Sequence, residues 1–263
     1  MIEKDLQIRL KKKYSQNFLK DTHFIDSMIQ EVTLIPESSV FEIGGGSGIL
    51  TKVILRENIK RLWVFEIDPE WAAELKKIVD DRLTVFEDNI LDIDFTTFEP
   101  YKPWILLANL PYQITFPILH LLQKNRTLLK EGVIMVQEEV AQKILKSRGR
   151  NYGYSSLFFQ WYFDWKMLDK IPPTAFYPQP KVFSRLLYFK PKENVPVIKQ
   201  EEDFWLFIKT CFKQPRRTLR NNLKQTHYDQ SIISSQLLDL RAQQLQMKDF
   251  LMLWEQMLAA MAA

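Results

Sequence analysis

The chain has 263 residues, of which 46% are hydrophobic and 13% aromatic, enough for one α/β domain and a small second domain. A net charge of +4, a single cysteine and three scattered histidines exclude a disulfide framework and a zinc cluster, so we expect no metal. No apolar run approaches the roughly 18 residues of a membrane span, and residues 1–19 resemble neither a signal sequence nor a transit peptide, so we expect a cytoplasmic protein without a membrane partner.

Strands and helices alternate along residues 24–189. The first predicted helix, near 24–32, begins after Asp21 and carries its apolar side chains on one face. Strands are predicted at 40–43, 62–66, 83–87, 104–108, 133–137, 165–169 and 183–189, with helices near 48–57, from 69, near 114–125, after 137 and near 155–163. This order predicts a parallel, Rossmann-like α/β sheet with helices on both faces and a ligand at the carboxyl ends of its strands.

The composition changes beyond Pro191. From about residue 201 the sequence predicts only amphipathic helices and contains no glycine. We therefore predict two domains, 1–190 and a small all-α domain at 191–263, joined by a linker around Pro191 to Pro196. The sequence shows no coiled coil, so we expect a monomer.

Four of the seven glycines lie between Gly44 and Gly48, at a turn from strand to helix. Glycine tolerates positive φ and lets a ligand approach the main chain, so the turn indicates a nucleotide-like cofactor. A dinucleotide fingerprint fails, because Ile49 or Thr51 occupies its third glycine position. The pattern acid-x-Gly-x-Gly-x-Gly from Glu42 instead resembles the first motif of S-adenosylmethionine-dependent methyltransferases, with a plain glycine turn as the alternative.

Acidic residues follow the next two strands. Glu66 ends the second predicted strand, 22 positions after Gly44, where a carboxylate can accept hydrogen bonds from ribose hydroxyls. Asp88 follows the third strand and could accept a hydrogen bond from the adenine amine of the cofactor. Helix or turn capping is the alternative for each. Both should converge with Asn109 on one edge of the sheet.

The segment Asn109-Leu110-Pro111-Tyr112 follows the fourth strand and resembles the signature of enzymes that methylate the exocyclic amine of adenine. That amine is a poor nucleophile, and accepting its two hydrogens on the Asn109 side-chain oxygen and the Leu110 carbonyl favours a pyramidal nitrogen. Pro111 fixes the turn and forces Leu110 toward extended backbone. Tyr112 offers a ring on which an extruded base can stack. A simple proline turn is the alternative.

Fifteen basic side chains lie in three stretches without acids, at 6–20, 140–153 and 204–228. Each stretch alone could be a solvated face, but together they favour a polyanionic partner, which indicates nucleic acid. Arg216, Arg217 and Arg220 have the spacing of one helix side. The predicted RNA-binding residues are Lys11, Lys12, Lys13, Lys143, Lys146, Arg148, Arg216, Arg217 and Arg220.

The motifs occur in the order found in the ribosomal RNA adenine dimethyltransferase family, which the chain resembles over nearly its whole length. The matching segments are Ser15–Leu19, Glu42–Thr51, Glu66–Asp68, Asn109–Tyr112, Tyr152–Ser156 and Phe176–Ser184. The family forms N6,N6-dimethyladenosine on a class I methyltransferase fold, with S-adenosylmethionine as cofactor. Ser15 and Gly45 depart from its usual residues without removing a contacting group.

The resemblance also implies individual roles. Asn17 and Leu19 would fold over the cofactor, Gly44 would lie beside it, and Asn109 would lie where the methyl donor meets the target. Glu66 would hold the ribose and Asp88 the adenine amine. Phe176 would stack on the target base opposite Tyr112.

Two branches of the family share these motifs. The segment Phe212–Asn221 resembles the branch that dimethylates two adjacent adenosines near the 3′ end of small-subunit ribosomal RNA during ribosome assembly, with Pro215 as a departure. The predicted partner is therefore the small ribosomal subunit or its RNA. The alternatives are a large-subunit methyltransferase of the macrolide-resistance type, a non-catalytic RNA-binding assembly factor and a nicotinamide-dependent dehydrogenase.

Overall fold

The computed structural model describes residues 17–262, without the side chains of residues 261 and 262. The predicted RNA-binding Lys11, Lys12 and Lys13 lie outside these residues. The chain forms two compact units, one extending to Ala141 and resuming over Phe163–Lys192, the other combining Gln142–Tyr162 with the residues from Glu193 onward. The second unit thus includes 142–162, which the sequence prediction assigned to the first domain.

The first unit contains nine strands and four complete helices within the described residues. Its strands are β1 (Phe18–Leu19), β2 (Ser39–Ile43), β3 (Arg61–Phe65), β4 (Leu83–Phe86), β5 (Trp104–Asn109), β6 (Leu129–Gln137), β7 (Phe163–Ile171), β8 (Phe176–Tyr177) and β9 (Ser184–Pro191). Its helices are α1 (His23–Gln30), α2 (Ile49–Ile54), α3 (Pro69–Leu75) and α4 (Thr115–Lys124), and α5 (Glu138–Leu145) follows β6. The predicted order of strands and helices is therefore confirmed.

Seven strands form one sheet in the order β4-β3-β2-β5-β6-β9-β7. The first five are parallel, as predicted. The strand β9 departs from the predicted parallel arrangement, because it runs antiparallel to both β6 and β7. A parallel neighbour requires a long crossover, usually a helix, whereas residues 172–183 between β7 and β9 hold only a three-residue 3-10 turn and the short β8.

The central strands are buried because helices cover both faces of the sheet. All five residues of β2 are buried. At the carboxyl edge the chain turns into helices at residues suited to that role. Gly48 has a φ of 75° directly before α2. Asp68 caps α3 by accepting a hydrogen bond from the Glu70 backbone N–H at 3.2 Å, and Pro69 is its first residue.

A separate two-stranded sheet, which the sequence did not predict, joins β1 to β8. Phe18 pairs with Tyr177 and Leu19 with Phe176 in antiparallel register. The Lys20 backbone N–H extends this pairing by donating to the Ala175 carbonyl at 2.8 Å. Two-residue strands are too short for an alternating pattern to reveal them.

The second unit is helical. It contains α6 (Tyr154–Tyr162), α7 (Glu201–Cys211), α8 (Leu219–Leu223), α9 (Ser235–Leu238) and α10 (Met247–Ala262). Segment 142–162 joins this unit through aromatic packing and hydrogen bonds: the Trp205 indole donates to the Tyr162 hydroxyl at 2.8 Å, which donates to Glu201 Oε1 at 2.6 Å. Across the described residues no helix is both long and apolar enough to cross a membrane.

Candidate active site

A cavity opens in the first unit where the parallel strands end at the carboxyl edge of the sheet. Its wall combines residues of β1, the glycine turn after β2, and the residues that follow β3, β4 and β5. The predicted site residues on this wall are Asn17, Leu19, Gly44, Glu66, Asp88, Asn109, Leu110 and Tyr112. The tertiary structure thus brings together eight side chains or backbone positions that the sequence distributes over almost a hundred residues.

The glycine turn requires glycine for both conformation and space. Gly44 and Gly46 have φ angles of 78° and 49°, in the region that glycine adopts without strain. A Cβ atom on Gly46 would lie 2.5 Å from Cε1 of Phe18, a cavity residue of β1. A Cβ on Gly45 would lie 2.5 Å from the Val64 side chain. The backbone of this turn therefore packs directly against β1 on one side and β3 on another.

Glu66 is a buried carboxylate that backbone groups hold in place. Its Oε2 accepts a hydrogen bond from the Gly46 N–H, and its Oε1 accepts one from the Asp68 N–H, each at 2.8 Å. The residue is 6% exposed. Burial raises the pKa of Glu66, and these backbone hydrogen bonds oppose the rise. Each carboxylate oxygen keeps a further lone pair, so the group can still accept hydrogen bonds from a ligand.

Glu42 also lines the cavity, and the sequence prediction did not include the burial of its side chain there. It is 1% exposed, and the Thr51 hydroxyl donates to its Oε2 at 2.6 Å. Burial raises the pKa of Glu42 to about 8, and the nearby Glu66 charge adds to the rise. The available signal was a carboxylate in the otherwise apolar run 40–43.

The turn after β5 orients the Asn109 amide. Its Nδ2 donates to the Asn17 carbonyl at 3.2 Å, which leaves Oδ1 as the side-chain acceptor. The Leu110 N–H donates to the Met135 carbonyl of β6 at 3.1 Å. Pro111 has φ −60° and ψ 123°, and its carbonyl accepts from the Ile114 N–H at 3.2 Å. The segment is thus a rigid turn that presents polar groups at the cavity.

Tyr112 is held by a residue to which the sequence prediction gave no role. The Tyr112 hydroxyl lies 2.6 Å from the hydroxyl of Ser184, the first residue of β9 and a fully buried one. Burial raises the pKa of the Tyr112 phenol, and the hydrogen bond with Ser184 opposes the rise. The hydrogen bond fixes one end of a ring that lines the cavity.

Asp88 lines the cavity just after β4 and is exposed. The alternative role of turn cap belongs to its neighbour, because Asn89 Oδ1 accepts from the Leu91 N–H at 3.2 Å at the start of a 3-10 helix. This leaves Asp88 available for a ligand.

Phe176 occupies a different position from the one its predicted role requires. It is fully buried, it belongs to the hydrophobic core with Leu19 and Ile25, and it is not part of the cavity wall among the described residues. Backbone pairing with Leu19 places β1 directly beside it. Stacking of a base on Phe176 stays a prediction.

The basic residues of the second unit are mostly exposed. Lys146 and Arg148 are exposed after α5, whereas Lys143 is half-buried. Arg216 and Arg217 are exposed as well, but they lie in a turn before α8, which begins only at Leu219. The prediction of one helix side for these arginines was therefore wrong.

Two interactions explain the turn. The Asn222 amide, on α8, accepts from the Gln214 N–H at 3.0 Å and donates to the Gln214 carbonyl at 3.2 Å, which fixes a non-helical path. Pro215, which lacks an N–H, lies within that path. Arg220 is on the helix, where its guanidinium pairs with Asp239 at 2.9 Å.

Comparisons with known proteins show similarity to one family over most of the chain. The model of the family described as ribosomal RNA adenine dimethylase matches residues 7–257. A protein of Chlorobium phaeobacteroides named ribosomal RNA small subunit methyltransferase A is 37% identical, over 96% of this chain and 93% of its own. A protein of the same name from Mycoplasma mobile is 38% identical, over 86% of this chain and 87% of its own.

Solved structures show the same fold. A dimethyladenosine transferase from Plasmodium falciparum has a TM-score of 0.77 at 23% identity, covering 90% of this chain and 95% of that one. The 23S rRNA methyltransferase ErmE has a TM-score of 0.71 at 21% identity, covering 91% and 99%.

Proposed function

Because the chain belongs to the ribosomal RNA adenine dimethylase family, we propose that it is a methyltransferase that uses S-adenosylmethionine to dimethylate the exocyclic amine of adenosines in small-subunit ribosomal RNA. The observation that carries this proposal is the rigid turn Asn109–Tyr112, which opens on the same cavity as the buried Glu66 carboxylate. The turn suits an adenosine amine that accepts a methyl group, and the Glu66 carboxylate suits a cofactor with ribose hydroxyls.

The residues on the cavity wall fit S-adenosylmethionine. When bound, this cofactor supplies an electrophilic methyl group on a sulfonium. Glu66 would accept hydrogen bonds from the ribose hydroxyls, because Gly46 and Asp68 already hold its carboxylate in position. Asp88 would accept a hydrogen bond from the adenine amine, and the Gly44 main chain would leave room for close approach. Asn17 and Leu19 would cover the cofactor. No metal ion takes part in this scheme.

The amine of the target adenosine is activated by hydrogen-bond acceptors. Asn109 Oδ1 and the Leu110 carbonyl would accept hydrogen bonds from its two N–H groups, so the nitrogen lone pair would be available to take the methyl group, with a neutral thioether as the leaving group. The Asn17 carbonyl keeps the Asn109 amide in this orientation. Tyr112 stacks on the extruded base. Stacking of Phe176 on the other face stays a prediction, because its ring is fully buried. The methylated ammonium is acidic and loses its proton to solvent, so no strong general base is required.

We assign RNA binding to basic side chains, of which six belong to the second unit and three, at 11–13, lie outside the described residues. The family's small-subunit branch implies two adjacent adenosines near the 3′ end, modified during ribosome assembly. We propose that the protein acts there as a cytoplasmic monomer. The proposed phosphate-binding residues are Lys11, Lys12, Lys13, Lys143, Lys146, Arg148, Arg216, Arg217 and Arg220. A large-subunit substrate is not favoured, because the two relatives compared above are both named as small-subunit methyltransferases.

Methyl transfer to defined RNA tests the proposal. Purified protein is incubated with labelled S-adenosylmethionine and either small-subunit particles, large-subunit particles or the deproteinised RNA of each. Nucleoside digestion identifies the product. Labelled N6,N6-dimethyladenosine from the small-subunit samples is the expected result. Label only in large-subunit RNA, or no label in any sample, would overturn the proposal.

A further inference from the structure

Two exposed aromatic rings lie on the segment between β8 and β9. Tyr177 is 38% exposed and Phe183 45% exposed, although phenylalanine is among the residue types most often fully buried. We call these two side chains the aromatic rim. Val182, immediately before Phe183, is similarly exposed at 43% but has no ring. The segment thus offers flat apolar surface to a partner. Because Val182 is equally apolar and exposed but lacks a ring, it can serve as the control in a test of the rings.

The aromatic rim borders the cavity. Ser184, the residue after Phe183, pairs with Gln137 at the carboxyl end of β6, so this end of β9 lies at the edge where the cavity opens. The Ser184 hydroxyl holds Tyr112, a wall residue, at 2.6 Å. The other rim residue, Tyr177, pairs with the cavity residue Phe18. Phe183 thus directly precedes a residue that contacts the cavity wall, and Tyr177 is paired with a residue of that wall.

The charge around Phe183 suits a phosphate backbone. The Lys170 ammonium lies 4.4 Å from the centroid of the Phe183 ring, a cation–π arrangement. Lys181, in the same segment, is exposed. The acid nearest in the hydrogen-bond network, Glu138, is neutralised by Arg185 at 2.6 Å. An exposed ring with adjacent cations is the combination that binds single-stranded nucleic acid through stacking and phosphate contacts.

We propose that Phe183, assisted by Lys170, is a stacking platform for a nucleotide adjacent to the target adenosine. The inference rests on the proposed function, since it assumes that an adenosine enters the cavity beside Tyr112. Extruding one base removes the stacking partner of its neighbour, and an exposed ring at the cavity border replaces that partner. Phe183 thereby contributes to RNA affinity and to the choice of flanking nucleotides, separately from the groups that act on the amine.

The test compares three variants of the full-length protein, Phe183→Ala, Phe183→Trp and Val182→Ala. The substrate is a small-subunit RNA fragment that wild-type protein methylates, with 2-aminopurine placed beside the target adenosine. Stacking on an aromatic ring is worth about 1–3 kcal/mol per base, so we expect Phe183→Ala to weaken RNA binding about tenfold. Its 2-aminopurine fluorescence in the complex should rise, because the base loses its stacking partner. Phe183→Trp should restore both values, and Val182→Ala should match the wild type.

The outcomes separate this inference from the proposed function. Absence of methyl transfer by the wild-type protein overturns the proposed function and this inference with it. Transfer by the wild type together with unchanged RNA affinity in Phe183→Ala overturns the inference alone. Equal losses in Phe183→Ala and Val182→Ala would assign the effect to the path of the segment and also overturn it. Affinity for S-adenosylmethionine should stay unchanged in all three variants, since neither residue lies on the cavity wall.

Discussion

Ionisable side chains are held in opposite ways in the cavity of the first unit and in the basic turn of the second unit, residues 213–218. Glu42 and Glu66 are almost completely buried, and each carboxylate is held by short hydrogen bonds. Arg216 and Arg217 are exposed, and what is held in place there is the backbone, through the buried amide of Asn222.

This difference follows from the ligands that the two regions are proposed to bind. A small cofactor is recognised by a few polar groups whose positions are fixed before it arrives, because fixed groups in a buried site need no rearrangement. A phosphate backbone is recognised mainly by accessible cations that displace its counterions. Substitutions in the cavity should therefore change chemistry and cofactor affinity, and substitutions in the basic turn should change salt-dependent RNA binding.

The largest effect should come from Asn109→Ala. Removing one preorganised polar group from the amine site should lower turnover by about a hundredfold to a thousandfold. Cofactor affinity and RNA affinity should change much less. Single-turnover methyl transfer with saturating RNA measures the effect. Gln113→Ala, an exposed neighbour, is the matched control and should retain wild-type turnover. Normal turnover in the Asn109 variant would contradict its assigned role.

Glu66→Ala should have the next largest effect, because it weakens cofactor binding. Charge-assisted hydrogen bonds contribute about 1.5–3 kcal/mol each, so losing those to the two ribose hydroxyls should weaken S-adenosylmethionine binding about a hundredfold or more. Calorimetric titration gives the dissociation constant, and circular dichroism checks the fold. Glu87 is exposed and follows another strand, β4, so Glu87→Ala should bind the cofactor normally. An unchanged dissociation constant for Glu66→Ala would refute the assignment of the cavity.

Glu42 should make stability depend on pH. Its pKa is about 8 in the folded protein against 4.5 for the unperturbed group, so the folded state holds this proton more tightly. The stabilisation that this proton contributes to the folded state is fully present below about pH 4.5 and is lost as the pH rises through about 8.

Relative to the wild type, the free energy of unfolding of Glu42→Gln should therefore increase by on the order of 2 kcal/mol between pH 6 and pH 9. Urea unfolding at both pH values measures this. Glu37→Gln, exposed just before β2, should behave as the wild type at both. Parallel pH profiles for Glu42→Gln and the wild type would show that Glu42 titrates normally.

The smallest effects should come from the basic turn. Replacing Arg216 and Arg217 together with glutamine should weaken RNA binding about tenfold, and should flatten the slope of log affinity against log salt by up to about 0.7–0.9 per phosphate contact. Arg220→Gln should change the slope less, because Arg220 already pairs with Asp239. Cofactor affinity should be untouched in each. If the double variant keeps the wild-type slope, these arginines are only a solvated surface.

Local sequence patterns predicted the parts of the fold that depend on local physics. Apolar runs ending in a glycine turn, Glu66 or Asn109 located β2, β3 and β5, since a strand buried on both faces is largely apolar. They also gave the cavity, because parallel strands end at one edge of the sheet. The direction of β9 was not available from its own residues, and depended on the lack of a helical crossover before it.

The sequence by itself determined the order of strands and helices, the glycine turn and the residue types at the strand ends, since backbone freedom, burial and hydrogen-bonding capacity belong to single residues and their spacing. Only the tertiary structure decided which distant groups meet. Ser184 reaches Tyr112 across 72 positions, and Asn17 fixes the Asn109 amide across 92. Burial of Phe176 beside β1, and the pKa of Glu42, likewise arise from packing between segments. Such contacts depend on how the sheet is assembled, and no local pattern records them.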